Sequence, residues 1–280
     1  MVDSKKKRIT NKIFVYVSLA LLVSFVGFPL LQMFSMAFKG MEEQFAFPVT
    51  FLPRDWTLEN FRTALGHGYF LIYFRNSILV AVVTTSITLI VATLGAYGFT
   101  RTDYPGRRFF LSLLLFGQMI CLAAIAIPIF TIIGRLGFSN TFRGLVVCYL
   151  TFSIPVAIWL LMSFIMGIPK ELEEAAIVDG ASRFTAFIKV VVPLLRPGMG
   201  ATGAYVFFLS WQEFLFSMIV MTDRNRRTLP TGIMDFVGMF ETNWGALMAG
   251  SILLVLPVFV IFIVVQKQLI SGLTEGAVKG

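Results

Sequence analysis

Charged residues are sparse along this chain, and their positions divide it. Lys12 to Lys39, Arg75 to Arg101, Arg108 to Arg135, Arg143 to Lys170, Arg196 to Asp223 and Glu241 to Lys267 each bracket 25 or 26 residues, uncharged throughout except for Glu213. A helix of that size is about 38 Å long, and the hydrocarbon core of a bilayer is about 30 Å thick. The pattern predicts an all-α integral membrane protein with six transmembrane helices, over residues 13–38, 76–100, 109–134, 144–167, 197–221 and 244–266. A membrane β-barrel needs short segments of alternating polarity instead, and the sequence has none. The whole chain, 1–280, reads as a single transmembrane domain.

Composition supports the pattern. Hydrophobic residues make up 57% and charged residues 14%, with a mean hydropathy of +0.84. A soluble domain carries about 25% charged residues, so lipid must cover the surface that polar groups cannot. The net charge of +8 then speaks of orientation rather than nucleic acid. With the N-terminus inside, fourteen basic residues fall on cytoplasmic segments and nine outside, and the cluster Lys5–Arg8 flanks the first span. Both termini are expected in the cytoplasm of a multi-pass protein. The first apolar run is too long for a cleaved signal peptide and has no small-residue cleavage site after it. Cys121 and Cys148 lie inside apolar runs and read as packing thiols. With His67 the single histidine, no metal-ligand set and no Ser/His/Asp arrangement is available.

Among the expected loops, 168–196 differs from the others. Glu171, Glu173 and Glu174 stand where a helix N-terminus favours negative charge, after Pro169, and the stretch to Val178 reads as a short helix. Asp179-Gly180 ends it, glycine supplying the positive φ of a C-cap. Ser182 can cap a second helix from Arg183 to about Val190. Phe184, Phe187, Ile188 and Val191 recur at helical spacing and give this second helix an apolar face. A helix–turn–helix elbow on the cytoplasmic side follows. Its apolar face suits either a lipid surface or a protein partner, and the acidic first helix fits an anionic leaflet poorly.

The elbow resembles a known motif. Glu174-Ala175-Ala176, Asp179-Gly180-Ala181, Ile188 and Pro193 are similar to the EAA loop of permease subunits in binding-protein-dependent ABC importers. Gly180 and Ile188 are eight positions apart here, where the motif sets nine residues between them, and the tail to Pro193 is looser. The likeness runs on through Arg75-Asn76-Ser77, Arg101 with Tyr104-Pro105-Gly106-Arg107, Ile127-Pro128, Trp211 with Phe214, and the tail from Gly272-Leu273-Thr274 to Lys279-Gly280. Together these resemble the G-type half of the maltose-type sugar permeases. The resemblance implies a subunit of a bacterial or archaeal cytoplasmic membrane that forms half of a sugar pathway. It also implies that Glu171, Glu174, Ala175, Ala176, Asp179, Gly180, Ala181, Ile188 and Pro193 couple the chain to a cytoplasmic ATPase. The implied partners are a second permease subunit in a heterodimer, two ATPase subunits that hold ATP and Mg, and an extracytoplasmic solute-binding protein. The chain itself carries no phosphate-binding G-x-x-x-x-G-K-[ST] sequence. It is therefore expected to hold no cofactor and not to be an enzyme.

Two further groups are candidates. Glu213 is the one charge inside an expected span, and such residues face a cavity or a partner group. With Trp211 and Gln212 it could line a sugar pathway, aromatic face beside hydrogen-bonding groups, or it could lock spans together. Outside, Arg224, Arg226 and Arg227 are candidates for contact with the binding protein. The same arginines suit an anionic cargo, so a permease for glycerol phosphate, or for another non-sugar solute such as a polyamine, is the alternative. An ion-coupled carrier using Glu213 is a further one, though the two halves show no repeat.

Overall fold

The computed structural model describes residues 2–238 and 240–277, so Lys279 and Gly280 of the tail lie outside the described residues. Among the described residues, the chain's principal helices are α1 (Val2–Ala37), α2 (Glu59–Gly66), α3 (Phe70–Arg101), α4 (Arg107–Met119), α5 (Leu122–Arg135), α6 (Phe142–Met166), α7 (Glu171–Val178), α8 (Arg183–Ala186), α9 (Arg196–Trp211), α10 (Leu215–Val220) and α11 (Trp244–Ala277). Shorter turns complete it, and the described residues form no β-strand beyond two isolated bridges, Lys39 with Trp56 and Val237 with Thr242. Four helices are long and apolar enough to cross a membrane alone: Asn11–Ala37, Phe70–Arg101, Phe142–Met166 and Trp244–Gln266. Two bent pairs bring the count to six when each pair is taken as one span.

These pairs depart from the straight spans that the charge spacing predicts. In place of one helix over 109–134, α4 and α5 meet at a 103° bend. The break falls at Ile120 and Cys121, both in extended backbone, while Pro128 sits within α5 without interrupting it. The fifth span is also built from pieces. The 16 residues of α9 reach about 24 Å. They are preceded at 72° by the helical limb Arg183–Leu194, and the chain breaks again before α10.

The chain divides into two compact units. One comprises residues up to Gly68 with Ile233–Val255. Within it, the most apolar window of α1 is wholly unburied, as expected of a helix clothed by lipid. The segment after α1 is tied down through polar groups. Lys39 is 2% exposed and its ammonium donates to the Thr50 carbonyl. Asn60 Nδ2 donates to the carbonyls of Ala37 (2.9 Å) and Lys39 (2.8 Å). Glu43 accepts from the Arg54 N–H and the Thr50 hydroxyl, and these bonds, the Arg54 one foremost, hold its carboxyl below the ordinary carboxylate range. Ala37, Ala64, Phe236, Ala246 and Ala249 form the apolar core of this unit.

The other unit comprises Tyr69–Gly232 and Leu256 onward. Its centre is α3 packed on α6, with α9 laid against both. Ala92, Ala96 and Ala157 lie in the same buried cluster as Leu161, Ile165 and Val206, and side chains of this size let helix backbones approach closely. A second cluster around Leu145, Cys148, Tyr149 and Phe216 joins α6 to α5 and α10.

Candidate functional site

The segment between α6 and α9 folds as two helical limbs about one tight turn. α7 opens with three glutamates in its first turn and closes in a Schellman motif. The Gly180 N–H reaches the Ile177 carbonyl and the Ala181 N–H the Ala176 carbonyl, both at 3.0 Å. Gly180 has φ +90°, and a Cβ there would meet open space, so backbone conformation alone selects glycine. Ser182 then caps the second limb, its Oγ accepting from the Thr185 N–H at 3.1 Å. That limb runs through α8, a π turn at Phe187–Val191 and a last turn at Val192–Leu194. The π turn sits just before Pro193 and sends the Val192 N–H to the Phe187 carbonyl. Proline cannot donate to a helix, so the ladder widens where its donor is missing.

The expected apolar face of the second limb divides in two. Phe187 (4% exposed) and Val191 (0%) are buried, whereas Phe184 (68%) and Ile188 (45%) face outward. Val178, beside the turn, is 86% exposed. Glu171, Glu174, Ala175, Asp179 and Gly180 are exposed; Ala176, Ala181 and Pro193 are half-buried.

Glu173 behaves differently from its two neighbours. It turns inward and meets Arg101 at the end of α3, Nε to Oε1 at 2.6 Å, with the two side chains only 8% and 9% exposed. Arg101 also donates from Nη2 to the Ile168 carbonyl at 2.7 Å, and the Tyr97 hydroxyl donates to the other Glu173 oxygen at 3.0 Å. The Tyr97 ring lies 4.5 Å from that of Phe187. The charge pattern alone groups all three glutamates as one acidic helix start. Three carboxylates within four consecutive helical residues cannot share a face, and the Tyr97–Arg101 spacing of one turn marked the partner surface.

Glu213 lies at the break between α9 and α10. Its Oε1 accepts from the Phe216 N–H at 2.9 Å and its Oε2 from the Ser217 N–H at 3.3 Å. In a continuous helix those N–H groups would have bonded to the carbonyls of Gln212 and Glu213. The carboxylate takes their place and starts a new helix, while the Tyr149 hydroxyl approaches the Glu213 carbonyl at 3.4 Å. Trp211 is 1% exposed, stacked on Phe207 and edge-on to Phe74, and Gln212 is exposed. The structure therefore brings Glu213 to a helix start and Trp211 into packing.

Residues 101–274 match the family described as binding-protein-dependent transport system inner membrane component. The chain belongs to that family. A probable ABC transporter permease protein of Bacillus subtilis, YurM, is 36% identical over 266 residues, covering 95% of this chain and 88% of its own length. The trehalose/maltose transport system permease protein MalG of Thermococcus litoralis is 36% identical over 231 residues, covering 80% and 82% respectively. Among solved structures, a chain of a bacterial ABC transporter that imports the acidic polysaccharide alginate superposes with a TM-score of 0.81 at 22% identity, over 94% of this chain and 97% of that one. The protein is thus a multi-pass inner-membrane permease subunit of an ABC importer, akin to the G-type sugar permeases, and not itself an enzyme.

The arginine loop is held from two directions. Asn76 Nδ2 donates to the carbonyls of Asn225 (2.9 Å) and Arg227 (3.0 Å), and Ser77 Oγ accepts from the Leu229 N–H at 2.7 Å. Asn76 and Ser77 therefore clamp a backbone turn. Arg226 donates to the Asn140 carbonyl and lies 3.8 Å from Asp223, so its charge is engaged locally; Arg224 is exposed and Arg227 half-buried. Arg226 is exposed as well.

Proposed function

We propose that this permease forms half of the translocation pathway for a sugar and couples it to a cytoplasmic ATPase through residues 168–196. The whole chain would act as one permease domain beside a second, different permease subunit. Two ATPase subunits, holding ATP and Mg, would seat the two elbows in clefts, and an extracytoplasmic solute-binding protein would deliver cargo from outside. Both termini would lie in the cytoplasm. Closure of the ATPase dimer on ATP would push on the elbows and open the pathway outward; hydrolysis would return it inward.

The observation that carries this reading is the surface of the elbow. Val178 and Phe184 flank the Gly180 turn and are 86% and 68% exposed, on limbs whose other faces are already packed. Exposed glutamates at 171 and 174 border them. An apolar tip rimmed by carboxylates fits a protein cleft with basic edges. The sugar assignment is supported by the relative named for trehalose and maltose.

Gly180→Val and Glu174→Lys test the joint. Valine at φ +90° carries a left-handed penalty on the order of 1–2 kcal/mol, too small to unfold the spans yet enough to re-aim one limb. Gly180→Val should separate ATP hydrolysis from uptake or release the ATPase, and Glu174→Lys should weaken docking. Co-purification with the ATPase, with transport and hydrolysis rates alongside, reads the outcome. Normal behaviour in both variants would remove the elbow from the mechanism.

A further inference from the structure

One helical turn of α3 touches the start of the elbow and both of its limbs. Arg101 bonds to the Ile168 carbonyl, where the chain leaves α6, and to Glu173 on the first limb. Tyr97, one turn earlier, bonds to the same carboxylate and stacks on Phe187 of the second limb. Covalent connection ties the elbow to α6 and α9 only. The polar link to α3 is made by these side chains, the Arg101–Glu173 pair spanning 72 residues of sequence.

The chemistry of the link is that of a rigid joint. Both oxygens of Glu173 are used, one by the guanidinium and one by the tyrosine hydroxyl, and Arg101 spends its remaining reach on a backbone carbonyl. A planar guanidinium engaged at two points resists rotation in a way a flexible ammonium does not. Both side chains are withdrawn from water, so the pair is screened little by salt, and breaking it leaves a charge without a partner. Sliding of the elbow past α3 is therefore disfavoured, whereas movement of the two together leaves every contact intact.

We propose that Arg101 and Glu173, with Tyr97, are positioning residues that make α3 move with the elbow. The stroke of the ATPase would then enter the membrane through three helices: α6 and α9, by chain continuity, and α3, through this pair. The proposal rests on the elbow being the ATPase joint. It adds that Glu173, unlike Glu171 and Glu174, works inside the permease and makes no contact with the ATPase.

The test uses the assembled transporter in lipid nanodiscs, with Cys121 and Cys148 replaced by alanine. A single reporter cysteine is placed at Leu79 on α3 or at Tyr205 on α9, each 43% exposed. Maleimide labelling is timed with and without ATP plus orthovanadate. In the parent, the nucleotide should change both rates. Glu173→Gln and Arg101→Gln should reduce the effect at Leu79 on the order of fivefold or more, leave it intact at Tyr205 and leave the ATPase bound. Should either single variant fail to assemble, the double variant has no unpaired buried charge and gives the same reading. A full nucleotide response at Leu79 in the double variant overturns the proposal. Parallel loss at Leu79 and Tyr205 overturns it too, since the pair would then merely hold the elbow folded. No response at either site in the parent would instead overturn the elbow as the joint, and the pair's role with it.

Discussion

Glu213 shows how a single side chain can be conspicuous in a sequence while its task is not. A lone carboxylate within an apolar run demands a partner, and a cargo or a neighbouring span are the obvious ones. The partners found are the N–H groups of Phe216 and Ser217, three and four residues ahead. This is a helix-capping interaction, and capping groups are worth about 1–2 kcal/mol each. Glu213→Ala should therefore lower the melting temperature of the assembled transporter and raise amide exchange over 215–220. Glu213→Gln, which keeps one acceptor, should do so by less than half as much. Equal effects of Ala and Gln on stability would mean that the charge matters and not the cap. A fall in uptake under Gln with stability unchanged would support the pathway role.

At the scale of elements, charge spacing located the apolar stretches and could not see where they bend. Ile120 and Cys121 are as uncharged as their neighbours, yet the chain breaks at each. Short local signals fared better. Gly180 and Ser182 bound the elbow's two limbs where turn and cap chemistry put them, because αL backbone and a side-chain acceptor act within a few residues. The Asn76 clamp is an element-scale feature of the opposite kind, joining positions 149 and 151 residues apart. Asn76→Ala leaves two carbonyls of a tight turn without their donor, a cost of about 1–3 kcal/mol. Limited trypsin digestion should then cut after Arg224, Arg226 or Arg227 several-fold faster than in the parent, with α3 itself undamaged; an unchanged digestion rate would show that Ser77 alone suffices.

For the molecule as a whole, the asymmetry of basic residues sets an orientation that can be checked directly. Reporter fusions that function only in the cytoplasm should be active at the N-terminus and at the C-terminus, and inactive when inserted near Phe47 in the segment after α1. An active reporter at Phe47 would invert the assignment and move the elbow to the wrong side for an ATPase. Sequence alone determined where the apolar stretches lie and what they are made of, the limbs of the elbow and the family motif within it. These depend on hydropathy, on charge and on turn chemistry, all of which act locally along the chain. Tertiary structure alone decided that Glu173 turns in while Glu171 and Glu174 stay out, that Trp211 is packed, and that Asn76 holds the arginine loop. Each of these is a pairing between residues distant in sequence. Burial and hydrogen bonding are properties of such pairs, and a one-dimensional pattern carries the propensity of each member but not their meeting.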